Sequence, residues 1–343
     1  MKITAKQIAE IVGVSRGTVD RALHNRGRVD PEVAKRIKEV AKEHGFEPSR
    51  TARALALSKN PIKIGAVVPL TKTSFMREVI SGLNLAKNEL ANNGGKLFIE
   101  KLPGLDVQEE IDAIDRLLAK GIQGLAIAPV EGDALRSKLK QMRSELDIPI
   151  VTFNTDIVGI DRLCFVGMNN RRAGATAAGL MNMLLGQKGG KVLIIMGFVT
   201  NQSQSQRVEG FVQEINRSFP NIEILGLQLS MDAEDMAERI TLQMLESTPD
   251  LAGIMMVPGG QAGVCRALKQ AGKSGEVKLI VYDVLPETLE GLQEGIIDFV
   301  IDQNALIQGK RPPQILFDYL FDQAAPHNEL QYTDIILKTR YNI

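Results

Sequence analysis

A chain of 343 residues is long for one hydrophobic core and suits a small module joined to one large or two medium domains. Its formal charge is zero, yet residues 1–60 hold thirteen Lys/Arg against seven Asp/Glu, net +6, and the remainder 28 against 34, net −6, so a polyanion-binding head precedes an acidic body. Two cysteines in apolar runs, Cys164 and Cys265, exclude a disulfide framework, and His24, His44 and His327 lie too far apart for a local zinc motif.

The opening residues, MKITAKQIAE, lack the apolar core of a signal peptide, and no run of about 18 uncharged apolar residues follows, which predicts a cytoplasmic chain that engages no membrane. Thr4 and Gln7 have capping-box spacing, and Ile8, Ala9, Ile11 and Val12 form one apolar stripe. A first helix therefore runs to about Val12, where Gly13 stops it. Ser15 caps a second helix, SRGTVDRALHN, with Val19, Ala22 and Leu23 inward and Arg16, Gly17, Asp20 and Arg21 outward. Asp30 and Pro31 open a third, with Val33, Ile37, Val40 and Ala41 buried and Gly45 as its stop. Two short helices around a tight turn, followed by a third, predict a helix-turn-helix domain over residues 1–46. Residues 47–60 form a hinge and linker whose TARALALS segment has good helix formers but is too short to be stable alone.

From Pro61 the texture changes to β-rich runs alternating with amphipathic stretches: IKIGAVV, KLFIE, GLAIA, IPIVTF, KVLIIM, IEILGLQL, AGIMMV, VKLIVY and IDFVI. Strand, helix, strand at this spacing predicts parallel sheets with right-handed crossovers, an α/β body of two doubly wound lobes. The N-lobe is placed at about 61–165 and 304–332, and the C-lobe at about 166–303 and 333–343. Ligands in such sheets sit outside the carboxyl ends of the strands. LLGQKGGKVLII has a phosphate-loop look, but its Gly186–Gly190 spacing is one short, no Ser/Thr follows Lys191, and it precedes a strand. With no nucleophile elbow and no metal motif either, no catalytic residue, metal or cofactor is expected.

Residues 4 to 56, TAKQIAEIVGVSRGTVDRALHNRGRVDPEVAKRIKEVAKEHGFEPSRTARALA, resemble the DNA-binding head of the lactose-repressor (LacI/GalR) family almost without gaps. Thr4, Ala9, Gly13, Val14, Ser15, Thr18, Val19 and Arg21, then Pro48, Ala52 and Leu55, supply its pattern. The resemblance implies that the second helix enters the major groove of double-stranded operator DNA. There Arg16 and Arg21 donate paired hydrogen bonds to guanine, while Gly17 between them reads little. Thr4, Ser15 and Thr18 hold phosphates. The hinge, with Ala52 and Leu55, folds in the minor groove, where the Leu55 side chains of two subunits wedge between base pairs. His24 stands where the pattern has Asn, and Asp20, Arg28 and Ser49 also depart from it, so the operator sequence is not transferable from relatives.

The body is similar to the ribose-binding type of periplasmic receptor, which forms the effector domain of that family. This likeness ranks Arg207, in the motif RVEGF, with Asp283 after VKLIVY and Gln303 at the end of FVIDQ, as polyol-binding residues. Thr73, Phe75, Asn154 and Tyr282 follow, the two rings as covers for an apolar sugar face. Asn154-Thr155 and Gly259-Gly260 replace the charged or polar pairs of ribose receptors, which disfavours a plain pentose and leaves other sugars, sugar acids, cyclitols and phosphorylated compounds open. The resemblance thus implies a homodimeric transcription regulator, a repressor released by a sugar-like inducer. A corepressor-type regulator, a solute-binding receptor of a transport system and an enzyme fused to a DNA-binding head remain the alternatives.

Overall fold

Side-chain caps define the head helices. In the computed structural model, which describes residues 3–23, 27–46, 57, 60–199 and 201–343, α1 spans Ala5–Val12. Thr4 Oγ1 accepts from the Gln7 amide at 3.3 Å while Gln7 Oε1 accepts from the Thr4 amide at 2.9 Å, which closes the capping box. Gly13 ends the helix with φ +73°, a conformation that costs glycine nothing. In α2 (Arg16–Leu23) the Ser15 hydroxyl accepts from the Thr18 amide at 3.1 Å, and in α3 (Pro31–Glu43) the Asp30 carboxylate accepts from the Glu32 and Val33 amides. Ile8, Ala9, Val19, Ala22, Ile37, Val40 and Ala41 close over one another as the head's core. His24, Pro48, Ala52 and Leu55 lie outside the described residues.

The body holds two six-stranded sheets. In the first, β1 (Ile62–Val68), β2 (Gly95–Lys101), β3 (Gly124–Ile127), β4 (Ile150–Phe153), β5 (Cys164–Gly167) and β11 (Leu330–Tyr332) lie in the order β2-β1-β3-β4-β5-β11. The second repeats that order as β7-β6-β8-β9-β10-β12, from β6 (Gly190–Met196), β7 (Ile222–Leu229), β8 (Leu251–Met256), β9 (Lys278–Tyr282), β10 (Phe299–Asp302) and β12 (Ile336–Lys338). Every registered pair is parallel except β10 with β12. The chain passes between sheets after β5, after β10 and after β11.

Helices cover both faces, so the strands read as continuous apolar runs. The first half supplies α4 (Ser74–Asn92), α5 (Val107–Ala119) and α6 (Asp133–Leu146); the second α7 (Asn170–Leu185), α8 (Gln202–Ser218), α9 (Glu234–Ser247), α10 (Gln261–Gln270) and α11 (Pro286–Gln293). After β10, α12 (Ala305–Asp322) returns to pack on β1, β3 and β4. Along β6, Val192, Ile194 and Met196 face Ala177, Met181 and Phe211, while Leu193 and Ile195 face Val264 and Leu268. Cys164, in β5, and Cys265, in the core over Leu193 and Ile195, are both buried, and burial pushes both thiols up to about 11.

Beyond the nine runs taken as strands from the sequence, the structure has β5, β11 and β12. CFVG and LQY are four and three residues long; CFVG pairs in parallel with β4, and LQY adds in parallel to CFVG.

Candidate functional site

Strand ends build the site. A cavity of about 400 Å³ opens in the body where the carboxyl ends of the two sheets meet. After β1 come Leu70, Thr73, Phe75 and Met76, and after β4 Asn154 and Thr155. Opposite them stand Asn201, Gln204 and Arg207 from the start of α8, Asp232 after β7, Pro258–Gln261 after β8, Asp283 after β9 and Gln303 after β10.

Close helix packing positions the central guanidinium. A Cβ on Gly210 would overlap the Arg171 carbonyl oxygen, and one on Gly174 would overlap that of Arg207, so these glycines let α7 and α8 touch backbone to backbone. The RVEGF glycine thereby fixes the turn of α8 that carries Arg207. This side chain is 3% exposed. Its Nε donates to Asn170 Oδ1 at 2.9 Å and its Nη2 to Gln303 Oε1 at 2.6 Å, while its plane lies 4.7 Å over the Tyr282 ring. Gln303 Nε2 in turn donates to Asp283 Oδ1. Burial lowers the Arg207 pKa against the pull of Asp283, and burial raises that of Asp283 against the pull of Arg207 and Gln303. The result is a buried, aligned chain of donors and acceptors whose exposed edge meets the cavity.

Lighter chemistry forms the opposite wall. Thr73 Oγ1 donates to the Leu70 carbonyl and accepts from the Met76 amide, capping α4 and presenting Phe75 to the cavity. Asn154 Nδ2 donates to Gln308 Oε1 at 3.2 Å, and Gln308, fully buried on α12, donates to the Gln303 carbonyl at 2.9 Å. One buried glutamine therefore joins both walls at a crossover between the sheets.

The cavity brings together Thr73, Phe75, Asn154, Arg207, Asp283 and Gln303 from the sequence reading. Tyr282 is the correction. It is 0% exposed, sits in the core of the second sheet and lies beneath Arg207 instead of facing the cavity. The residue before a strand end still belongs to the covered sheet, and only the residue after it enters the cleft. In the head, Ser15, Arg16, Gly17 and Arg21 are exposed on and beside α2. Thr4 spends its hydroxyl on the α1 cap, and Thr18 Oγ1 lies 2.9 Å from Ser15 Oγ.

Sequence reading missed Asn201, Gln204, Asp232, Gln261 and Glu287. Gln204, 5% exposed, accepts from the Gly197 and Phe198 amides and donates to the Pro258 carbonyl, tying the ends of β6 and β8 together. The strand-end rule was the signal that could have found them, since each opens a helix or turn after β6 to β9.

A helix-turn-helix head on a two-lobed body with a polar cleft defines the class of ligand-gated DNA-binding proteins. Residues 64–324 match the periplasmic binding protein domain family and residues 4–49 the lacI family of bacterial regulatory proteins. Among curated relatives, the maltose regulon regulatory protein MalI of Escherichia coli is 25% identical over 85% of this chain and 86% of its own. The D-ribose/D-allose-binding protein of Pseudomonas aeruginosa is 27% identical over 70% of this chain and 75% of its own. Among solved structures, a sugar ABC transporter sugar-binding protein from Bacillus halodurans is 25% identical, with a TM-score of 0.74 over 82% of this chain and 98% of its own. The chain belongs to the periplasmic binding protein domain family over residues 64–324 and carries a lacI-family DNA-binding domain at residues 4–49. It is a ligand-responsive, sequence-specific DNA-binding transcription regulator, and its relatives are regulators and binding proteins. No helix of the described residues is long and apolar enough to cross a membrane.

Proposed function

We propose that the protein is a cytoplasmic homodimeric repressor whose grip on operator DNA is released when a polyhydroxylated small molecule fills the cleft. The observation that carries this reading is the buried Arg207–Gln303–Asp283 chain at the cavity wall. Aligned buried donors and acceptors discriminate strongly, because each is left unpaired by a wrong ligand. Relatives named for ribose, allose and maltose support a sugar-like effector. Thr73, Phe75 and Asn154 complete the pocket from the opposite wall, with Phe75 covering an apolar ligand face.

In the head, α2 enters the major groove, with Arg16 and Arg21 on base edges, Gly17 close to the groove, and Thr4, Ser15 and Thr18 on phosphates. His24, Ala52 and Leu55 extend the contact. Two heads match a two-fold operator with half-sites about one helical turn apart. Ligand and DNA then oppose each other by linkage, each weakening the other by the same factor.

A thermal-shift screen against sugars, sugar acids, cyclitols and their phosphates tests the cleft, since a ligand of the folded state raises the midpoint. DNA retardation with the hit tests release; a hit that tightens the complex makes the ligand a corepressor and overturns release. Arg21→Ala should weaken specific operator binding by about 1–3 kcal/mol with ligand affinity unchanged, and unaltered operator specificity would sink the assignment of α2.

A further inference from the structure

Asp232 in the cleft is held in place by its turn and pairs with no cation among the described residues. Asp232 follows β7 in a turn pinned from both sides. The Ser230 amide donates to the Met196 carbonyl at 2.8 Å, the Ser230 hydroxyl to the Gly259 carbonyl at 3.0 Å, and the Met231 amide to the Gly197 carbonyl at 3.2 Å. The Asp232 carboxylate lies where a Cβ on either Gly197 or Gly259 would stand, so two glycines at neighbouring strand ends clear its seat. Gly259 belongs to the glycine pair that replaces polar residues after β8.

Charge around the cavity is one-sided. Four carboxylates line it (Asp232, Glu234, Asp283 and Glu287) against the single guanidinium of Arg207. Arg207 is committed to Asn170, Gln303 and the Tyr282 ring, and Glu234 is bound by Arg266 at 2.9 Å. Asp232 receives a hydrogen bond from Gln204 and no cation among the described residues; partial burial raises its pKa and Gln204 lowers it. A neutral polyol closing this cleft would strip water from an uncompensated carboxylate, and an anionic one would add repulsion. The acidic groups do not gather into a metal site among the described residues.

We propose that the effector carries a protonated amine seated against Asp232 and turns its hydroxyl groups toward the Arg207–Gln303–Asp283 chain, which makes it an amino sugar or amino-cyclitol. This rests on the cleft being the polyol site, and it removes sugar acids and sugar phosphates from the candidates. Asp232 is the specificity residue for the amine, while the buried chain of the same wall reads hydroxyls.

Calorimetry on the full chain with matched pairs is the test: glucosamine with glucose, galactosamine with galactose, mannosamine with mannose, and streptamine with inositol. At least one amine should bind roughly tenfold to a hundredfold more tightly than its neutral partner, the range expected of a charged hydrogen bond. In Asp232→Asn, which changes charge and not shape on an exposed side chain, that preference should vanish. A neutral sugar that binds as tightly as its amine, or an amine preference that survives Asp232→Asn, overturns the amine and leaves the polyol cleft standing. No binding by any member of the eight overturns both.

Discussion

Asn154 and Asp283 stand at the same place in two copies of one topology. Each follows the fourth strand of its half, each has left-handed backbone (φ +61° and +70°), and each amide donates to a carbonyl of the next strand, Val166 and Ile301, at 3.0 Å. Around these matched positions the lobes diverge. The first sheet gives the cavity hydroxyls, amides and apolar side chains, whereas every ionisable lining group comes from the second. A shared backbone plan thus sets where side chains enter a cleft, and residue choice makes one wall the electrostatic reader and the other the cover.

Deleting the reader's centre tests that division most severely. Arg207→Ala leaves Asp283 and Gln303 buried without their cation, and should cost about 3–5 kcal/mol in urea unfolding and abolish ligand binding. The equivalent loss on the other wall, Asn154→Ala, removes one hydrogen bond to Gln308 and should cost about 1 kcal/mol. Equal costs would mean that the walls share the load.

Helix contact in the second lobe offers a smaller lever. Gly210→Ala drives a Cβ into the Arg171 carbonyl, so it should destabilise by about 2 kcal/mol and weaken the ligand by shifting Arg207. Gly179→Ala, in open space on α7, should instead gain roughly 0.5–1 kcal/mol in the same unfolding measurement. Should both behave alike, backbone contact between α7 and α8 does not position the arginine.

The first lobe carries its own buried acid. Glu110 on α5 is 0% exposed; its Oε2 accepts from the Val130 amide at 3.0 Å, and its Oε1 has no partner among the described residues. Burial, only partly offset by that amide, pushes its pKa up to about 7. The folded form therefore holds a proton that the unfolded chain releases near 4.5, so this group lowers stability as pH rises from about 4.5 to about 7 and adds no further change above. The free energy of urea unfolding should fall by an amount on the order of 3 kcal/mol across that window, with a flatter profile in Glu110→Gln.

Local chemistry made the head legible: Thr4 with Gln7, Gly13, Ser15 and Asp30 cap helices through partners within four residues, so spacing alone locates them. Apolar runs likewise marked the longer strands, and the residues just beyond them, Asn154, Asp283 and Gln303, were legible because doubly wound sheets bind at carboxyl ends. Tyr282 was misplaced by one position, the distance over which a strand passes from covered sheet to open cleft. β11 was invisible because LQY is only three residues long and pairs with β5 from far along the chain. The sequence by itself determined the capped helices, the alternating α/β body and the family. Tertiary structure alone decided that Asp232 lines the cleft, since Asp232, Gly197, Gly259 and Gln204 are separated in the chain and meet only where the ends of β6, β7 and β8 converge.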